Sequence, residues 1–207
     1  MTVQTNASLS NGRLISSKVI DKISPKIEKG ALVHVNAIVV HQTGGATAKS
    51  ALDSYNTAGA NGAHFLIDKD GTIYQTARVT QKCWHVGKIK SRCDQLKTCS
   101  PAELKNIQAI MHKQAGSYSA RLTKLHHHES KKAYPDRYPS NEDSIGIEIV
   151  SKFSDKAGYE SATPAQNDSL RWLVTTLERL LTLSAADVFR HSEVSYKQPT
   201  EATSARW

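Results

Sequence analysis

Four apolar residues in a row, Ala37-Ile38-Val39-Val40, end abruptly in His41 and are followed by Gln42, Thr43, Gly44 and Gly45. Unbroken apolarity of this length predicts a strand buried on both faces, and the glycines end it. A second β-rich run spans Ser144 to Val150 but carries a carboxylate. Alternation places Ile145, Ile147 and Ile149 on one face and Gly146, Glu148 and Val150 on the other. A buried carboxylate is costly unless paired. The plain expectation is therefore an edge strand with a solvated Glu148.

The remaining pattern fills in around these two runs. AHFLIDKDGTIYQT alternates on both sides of Asp70-Gly71, which predicts a hairpin. Residues 47–57 read as a helix capped by Thr47, with Ala51, Leu52 and Tyr55 on one face. Cys83-Trp84-His85-Val86-Gly87 closes a further extended piece. Residues 88–140 are basic and poor in large apolar residues. Pro101 opens a helix there that is expected to run to about residue 130. YPDRYPSNED reads as a loop. Thr163-Pro164 opens the clearest helix, whose stripe is Leu170, Leu173, Val174, Leu177, Leu180 and Leu181. A short strand, Val188-Phe189-Arg190, then ends in His191 as the first ended in His41.

At the front of the chain, residues 1–12 are polar and aperiodic and predict a disordered lead-in. Residues 13–30 carry Leu14, Ile15, Val19, Ile20, Ile23 and Ile27, interrupted by Pro25. They predict a short helix or an extended arm across the sheet. The whole reads as an α/β fold: a mixed, mainly β-sheet flanked by helices, with the His41 strand central. One domain covers 13–207, with a helical insertion at about 88–140.

Composition changes this picture little. Of 207 residues, 39% are hydrophobic and 22% charged, which is ordinary for a soluble globular domain. No apolar run approaches the roughly 20 residues a membrane helix needs. The net charge of +8 comes with no nucleic-acid motif, so it suits an anionic polymer such as a bacterial cell wall, or simple solubility. The first fourteen residues lack an ordinary signal peptide, which predicts either a cytoplasmic protein or export by another machine. Of the three cysteines, Cys93 and Cys99 are close enough to bridge in an oxidising compartment.

The chemistry lies in the histidines. A lone histidine at a strand end is more often a satisfied core side chain, but two at two strand ends form half of a zinc site. A catalytic zinc commonly has three protein ligands and an open position. Glu193 and Glu201 are the candidates for the third ligand. Glu193, only two residues past His191, is expected to point elsewhere. Glu201 lies ten residues on, across a loop containing Pro199 that can fold back. His126-His127-His128 point in different directions on a helix, so they cannot all bind one metal. A solvated face is expected there.

In order, VVHQT, AHFLIDKDG, WHVG, SIGIE and HSEVSYKQPTE resemble the zinc-dependent N-acetylmuramoyl-L-alanine amidases. That family includes phage amidase-type lysozymes, bacterial anhydro-muropeptide amidases and peptidoglycan recognition proteins. The resemblance covers about residues 34–87 and 144–201. Each motif alone is weak; five in one order are specific. The resemblance implies Zn2+ held by His41, His191 and Glu201, the last at a position that is usually Asp or Cys. It implies Glu148 as general base. Pro199 stands where many members have an oxyanion-steadying lysine, and Lys197 is the nearby substitute. His85 either lines the cleft, bonds substrate or is structural, while His64 packs beside the metal strands.

The longer segment between WHVG and SIGIE, with the SYKxPxEA ending, is similar to amidase effectors of the type VI secretion system. This implies secretion without a classical signal peptide and action on peptidoglycan in a rival cell's periplasm. It also implies a cognate immunity protein and a secretion-system carrier as partners, and no nucleic acid. The competing readings are a non-catalytic peptidoglycan-binding module, a phage endolysin and a cytoplasmic muropeptide-recycling amidase.

Overall fold

The computed structural model describes residues 7–207. In chain order the elements are β1 (Ser8–Ser10), β2 (Arg13–Ile15), β3 (Val19–Asp21), β4 (Ala37–Gly44), α1 (Ala48–Tyr55), β5 (Phe65–Ile67) and β6 (Ile73–Gln75). The helical segment that the sequence reads as an insertion follows, with α2 (Arg92–Leu96), α3 (Pro101–Met111) and α4 (Tyr118–Glu129). The chain then completes its sheet with β7 (Ser144–Ser154), β8 (Gly158–Tyr159), α5 (Pro164–Leu181), β9 (Val188–Arg190) and α6 (His191–Val194).

The main sheet has the order β3-β6-β5-β7-β4-β9, with β8 paired to the end of β7. Along that path only the β5/β6 pair is antiparallel. This is the expected mixed α/β sheet flanked by helices, and β4 is an interior strand. β7 lies between β5 and β4, so the edge-strand expectation for Glu148 is overturned. The carboxylate is set in the middle of a sheet.

Strand alternation divides the core. Ile38 and Val40 of β4, and Ile145, Ile147 and Ile149 of β7, pack against Leu170, Leu173, Val174 and Leu177 of α5. Each such buried side chain contributes about 1.5–3 kcal/mol relative to exposure. On the opposite face Ala37 and Val39 meet Val86, Ile89, Tyr138, Phe189 and Val194, while Val150 meets Leu66 and Ala48 of α1. His41 and Glu148 project on this second face. The α5 start matches expectation: Thr163 Oγ1 accepts from Gln166 N, and Gln166 Oε1 accepts from Thr163 N. The Gln166 side-chain amide then donates to Ile67 O and Val150 O, tying the helix to two strands.

Two expectations need correction. Residues 8–15 form the antiparallel β1/β2 pair, so the lead-in is not unstructured there; residues 1–6 lie outside the described residues. Of the two forms open to residues 13–30, the extended arm is the one taken, and its β3 adds to the sheet edge beside β6. The single helix from Pro101 to about 130 is two: α3 ends at Met111, Gly116 takes φ +121°, and Ser117 caps α4 through Ala120 N.

Candidate active site

β4 and β7 run parallel with His41 directly opposite Glu148. β9 runs parallel on the other side of β4, Val40 facing Arg190, and His191 follows as the first residue of α6. The sheet thus delivers three side chains to one cleft at its strand ends. Glu193 turns away, accepting from Arg190 N at 3.0 Å and Arg190 Nη1 at 3.3 Å. The loop after α6 folds back as expected. Ala202 N donates to Gln42 Oε1 at 2.7 Å, and Ser192 Oγ donates to Glu201 O at 3.0 Å. Glu201 is thereby buried beside the histidines.

His191 Nδ1 lies 2.8 Å from Glu201 Oε1, and His41 Nδ1 lies 3.7 Å from the same oxygen. One ligand atom from each of the three residues falls within 4.8 Å of the others. Two imidazoles and a carboxylate match a common donor set of catalytic zinc. The hydrogen bonds fit a metal too. His191 Nε2 is 2.9 Å from Val86 O, so both its nitrogens face acceptors. A neutral ring has one hydrogen; spent on Val86, it leaves an Nδ1 lone pair against a carboxylate, where a cation belongs.

The titration of the metal-free site is set by burial and by its own charges. Burial, with the neighbouring His191, lowers the His41 pKa to about 4, so the ring is neutral, the form that binds metal. Burial opposes ionisation of Glu201, but the adjoining His191 and His41 hold its carboxyl at about 2. Glu148 behaves oppositely: burial, reinforced by the Glu201 charge and opposed by Lys197, pushes it up to about 8. Its Oε2 is buried with no hydrogen-bond partner, although the residue is partly open to the cleft.

The other expected residues separate clearly. His85 Nδ1 is 2.9 Å from His41 Nε2, and burial with its histidine neighbours takes its pKa well below the usual value. Its ring lies against Gly146, where a Cβ would come within 2.8 Å of Nδ1. His64 accepts from Gly146 N and donates to Gln81 O, packing beside the strands as expected. Lys197 is exposed at the rim of the cavity of about 580 Å³ that His41, Glu148, His191 and Glu201 line. Pattern reading missed Asn141, whose Oδ1 accepts from His85 N and Val86 N, and missed Trp84 and Tyr159 in the cavity wall. It also missed the clamp made by Gln42, although that residue stands inside VVHQT.

A second His/carboxylate cluster lies in the insertion. His128 Nε2 is 2.8 Å from Glu103 Oε1, and Lys132 Nζ is 2.5 Å from Glu103 Oε1 and 2.7 Å from the fully buried Glu129 Oε1. The three histidines do diverge, but the solvated face holds only for His127. His126 Nδ1 accepts from Ile89 N, and His128 is half-buried. Cys93 and Cys99 form a disulfide at the start of this region, and Cys83 is free and buried. No described helix is long and apolar enough to cross a membrane.

A family model described as N-acetylmuramoyl-L-alanine amidase (Amidase_2) matches residues 32–204. No curated protein matches the chain. Similar solved structures include a Se-Met AmpD derivative, at 18% identity and TM-score 0.54 over 96% of this chain and 94% of that one. Another is the N-acetylmuramoyl-L-alanine amidase LysC from Clostridium intestinale URNW, at 17% identity and TM-score 0.51 over 88% and 87%. PlyL is similar at 13% identity and TM-score 0.52 over 88% and 85%. At these identities the likeness bears on the fold.

Proposed function

The chain belongs to the N-acetylmuramoyl-L-alanine amidase family and is an amidase, and on that premise we propose a zinc-dependent enzyme that cleaves peptidoglycan between the MurNAc lactyl group and L-alanine. The observation that carries this reading is the buried convergence of His41, His191 and Glu201 beside the unpartnered oxygen of Glu148. His41 and His191 would hold the metal through Nδ1 and Glu201 through a carboxylate oxygen. Bound there, zinc supplies Lewis acidity that polarises a carbonyl and makes water a better nucleophile near neutral pH.

The chain's own groups handle the proton. Beside a bound cation, whose charge would offset the burial that pushes its pKa up, Glu148 is ionised and takes the proton from the attacking water, whose oxygen bonds to the scissile carbonyl carbon. When the C–N bond breaks, Glu148 returns the proton to the departing L-alanine nitrogen. The products are a lactyl carboxylate and a free amine. Lys197, at the cleft rim, adds positive charge near the oxygen that becomes negative. Trp84 and Tyr159 wall the cavity against which sugar and peptide would lie.

The Cys93–Cys99 disulfide supports a place of action that is oxidising, as a periplasm is. We extend the proposal accordingly to an antibacterial effector delivered by a type VI machine, with an immunity protein in the producing cell. The deciding experiment is metal content of the purified protein together with mass analysis of products from purified peptidoglycan. One zinc per chain, intact glycan strands and stem peptides with free L-alanine amines are expected. Binding without cleavage would replace the enzyme with a binding module. Cleavage of soluble muropeptides but not intact sacculi would replace the effector with a recycling enzyme.

A further inference from the structure

The hydrogens around His85 are dictated by its neighbours. His85 Nε2 stands 3.3 Å from Ser144 O and 3.3 Å from Ser144 Oγ. The Oγ hydrogen is committed to Ser140 O at 2.5 Å. Both atoms facing Nε2 are therefore acceptors, and Nε2 carries the ring hydrogen. No carboxylate contacts the ring among the described residues to support a second one. Nδ1 is left a bare acceptor, and the atom 2.9 Å from it is His41 Nε2. His41 thus donates through Nε2, and its own Nδ1 faces Glu201 as a lone pair.

The next residue does the same for the other histidine. Val86 O accepts from His191 Nε2 at 2.9 Å, which turns His191 Nδ1 toward Glu201. Asn141 Oδ1 accepts from His85 N at 2.9 Å and from Val86 N at 2.8 Å, fixing the dipeptide in place. Gly146 supplies the room for the His85 ring, since any larger side chain on that face of β7 would displace it.

We propose that His85 and Val86, pinned by Asn141, are a positioning element that sets the tautomers of both metal-site histidines, so that each presents Nδ1 to a cation beside Glu201. His85 acts through His41. The proposal rests on the metal-site reading above, and its test is built to fail separately from it.

Nitrogen-15 NMR of the metal-free full chain at neutral pH reads the His41 tautomer directly and needs no variant. Hydrogen on Nε2 is expected; hydrogen on Nδ1 overturns the proposal. Zinc affinity by chelator competition is the second arm. His85→Leu removes the acceptor and should weaken zinc about 10- to 100-fold, the usual consequence of losing an outer partner of a metal ligand. His85→Asn keeps an acceptor near the Nδ1 position and should restore affinity to within a few-fold of wild type. Undiminished affinity in His85→Leu overturns the proposal. A wild-type protein that takes up no zinc sinks the metal reading, while the NMR arm still decides the tautomer.

Discussion

The cleft and the insertion each bury carboxylates beside histidine, and they balance the charge differently. In the insertion Lys132 reaches both Glu103 and Glu129, so the chain supplies its own cation. In the cleft Glu201 has no lysine or arginine partner among the described residues; its contacts are His41 and His191. Leaving a buried charge uncompensated costs several kcal/mol. The α2–α4 cluster therefore carries its own counter-charge, although Glu129 Oε2 stays buried without a hydrogen-bond partner, and the cleft cluster has no such cation. The same residue types give a strut in one place and a candidate metal site in the other, and the difference is one lysine.

The largest effect that tests this contrast is loss of the cation. His41→Ala or His191→Ala should abolish both zinc uptake and hydrolysis, read by metal analysis and turnover on sacculi. Glu201→Ala should weaken zinc strongly, and full stoichiometry with full activity would remove Glu201 from the ligand set. Next comes Glu148→Gln, which cannot accept a proton. Turnover should fall about 100- to 10,000-fold while zinc stays bound. Near-normal turnover would make Glu148 structural.

Lys132→Met probes the other side of the comparison. Stripping the cation from a buried carboxylate should cost about 3–5 kcal/mol in urea unfolding, with zinc content unchanged. A neutral result would mean that the insertion cluster does not depend on its lysine. The smallest effect is in pH. Glu148 has a folded pKa of about 8, above its usual 4.5. Its contribution to stability is complete below pH 4.5 and is lost as pH rises through about 8. The slope is at most about 1.4 kcal/mol per pH unit. Glu103 is lowered, chiefly by its hydrogen bond to Lys132, so its contribution is present at neutral pH and lost on acidification. Urea midpoints of the metal-free protein against Glu148→Gln and Glu103→Gln should show these opposite slopes; parallel curves would erase the distinction.

What could be read from the chain was what local chemistry encodes. The β4 run, the Asp70-Gly71 turn and the Thr163-Pro164 helix start are each decided within a few residues, and all three stand. Asn11-Gly12 is an equally strong hairpin signal. It was hidden because β1 and β2 are three residues each and mostly exposed. The break between α3 and α4 was written in Gly116-Ser117, but apolar spacing carries across it. Placing Glu148 inside the sheet needed the partners of β7 on both sides, which no local pattern supplies. Asn141 and Gln42 act on backbone amides 55 and 160 residues away in sequence, so nothing near them announces the role.

The parallel pairing of β4 with β7 makes the cleft a matter of counting. His41 meets Glu148 because Ala37 meets Ser144, and every step between keeps the tally. Deleting a single residue between Ser144 and Ile147 would leave a strand of nearly the same apolar content, still able to pair. It would also turn Glu148 toward Leu173 and carry an isoleucine into the cleft. Length variation is thus forbidden across four residues here, whereas the loops joining α2, α3 and α4 can lengthen at little thermodynamic cost. A library of one-residue insertions and deletions would draw that boundary directly, as a short interval of intolerance beside a long permissive one.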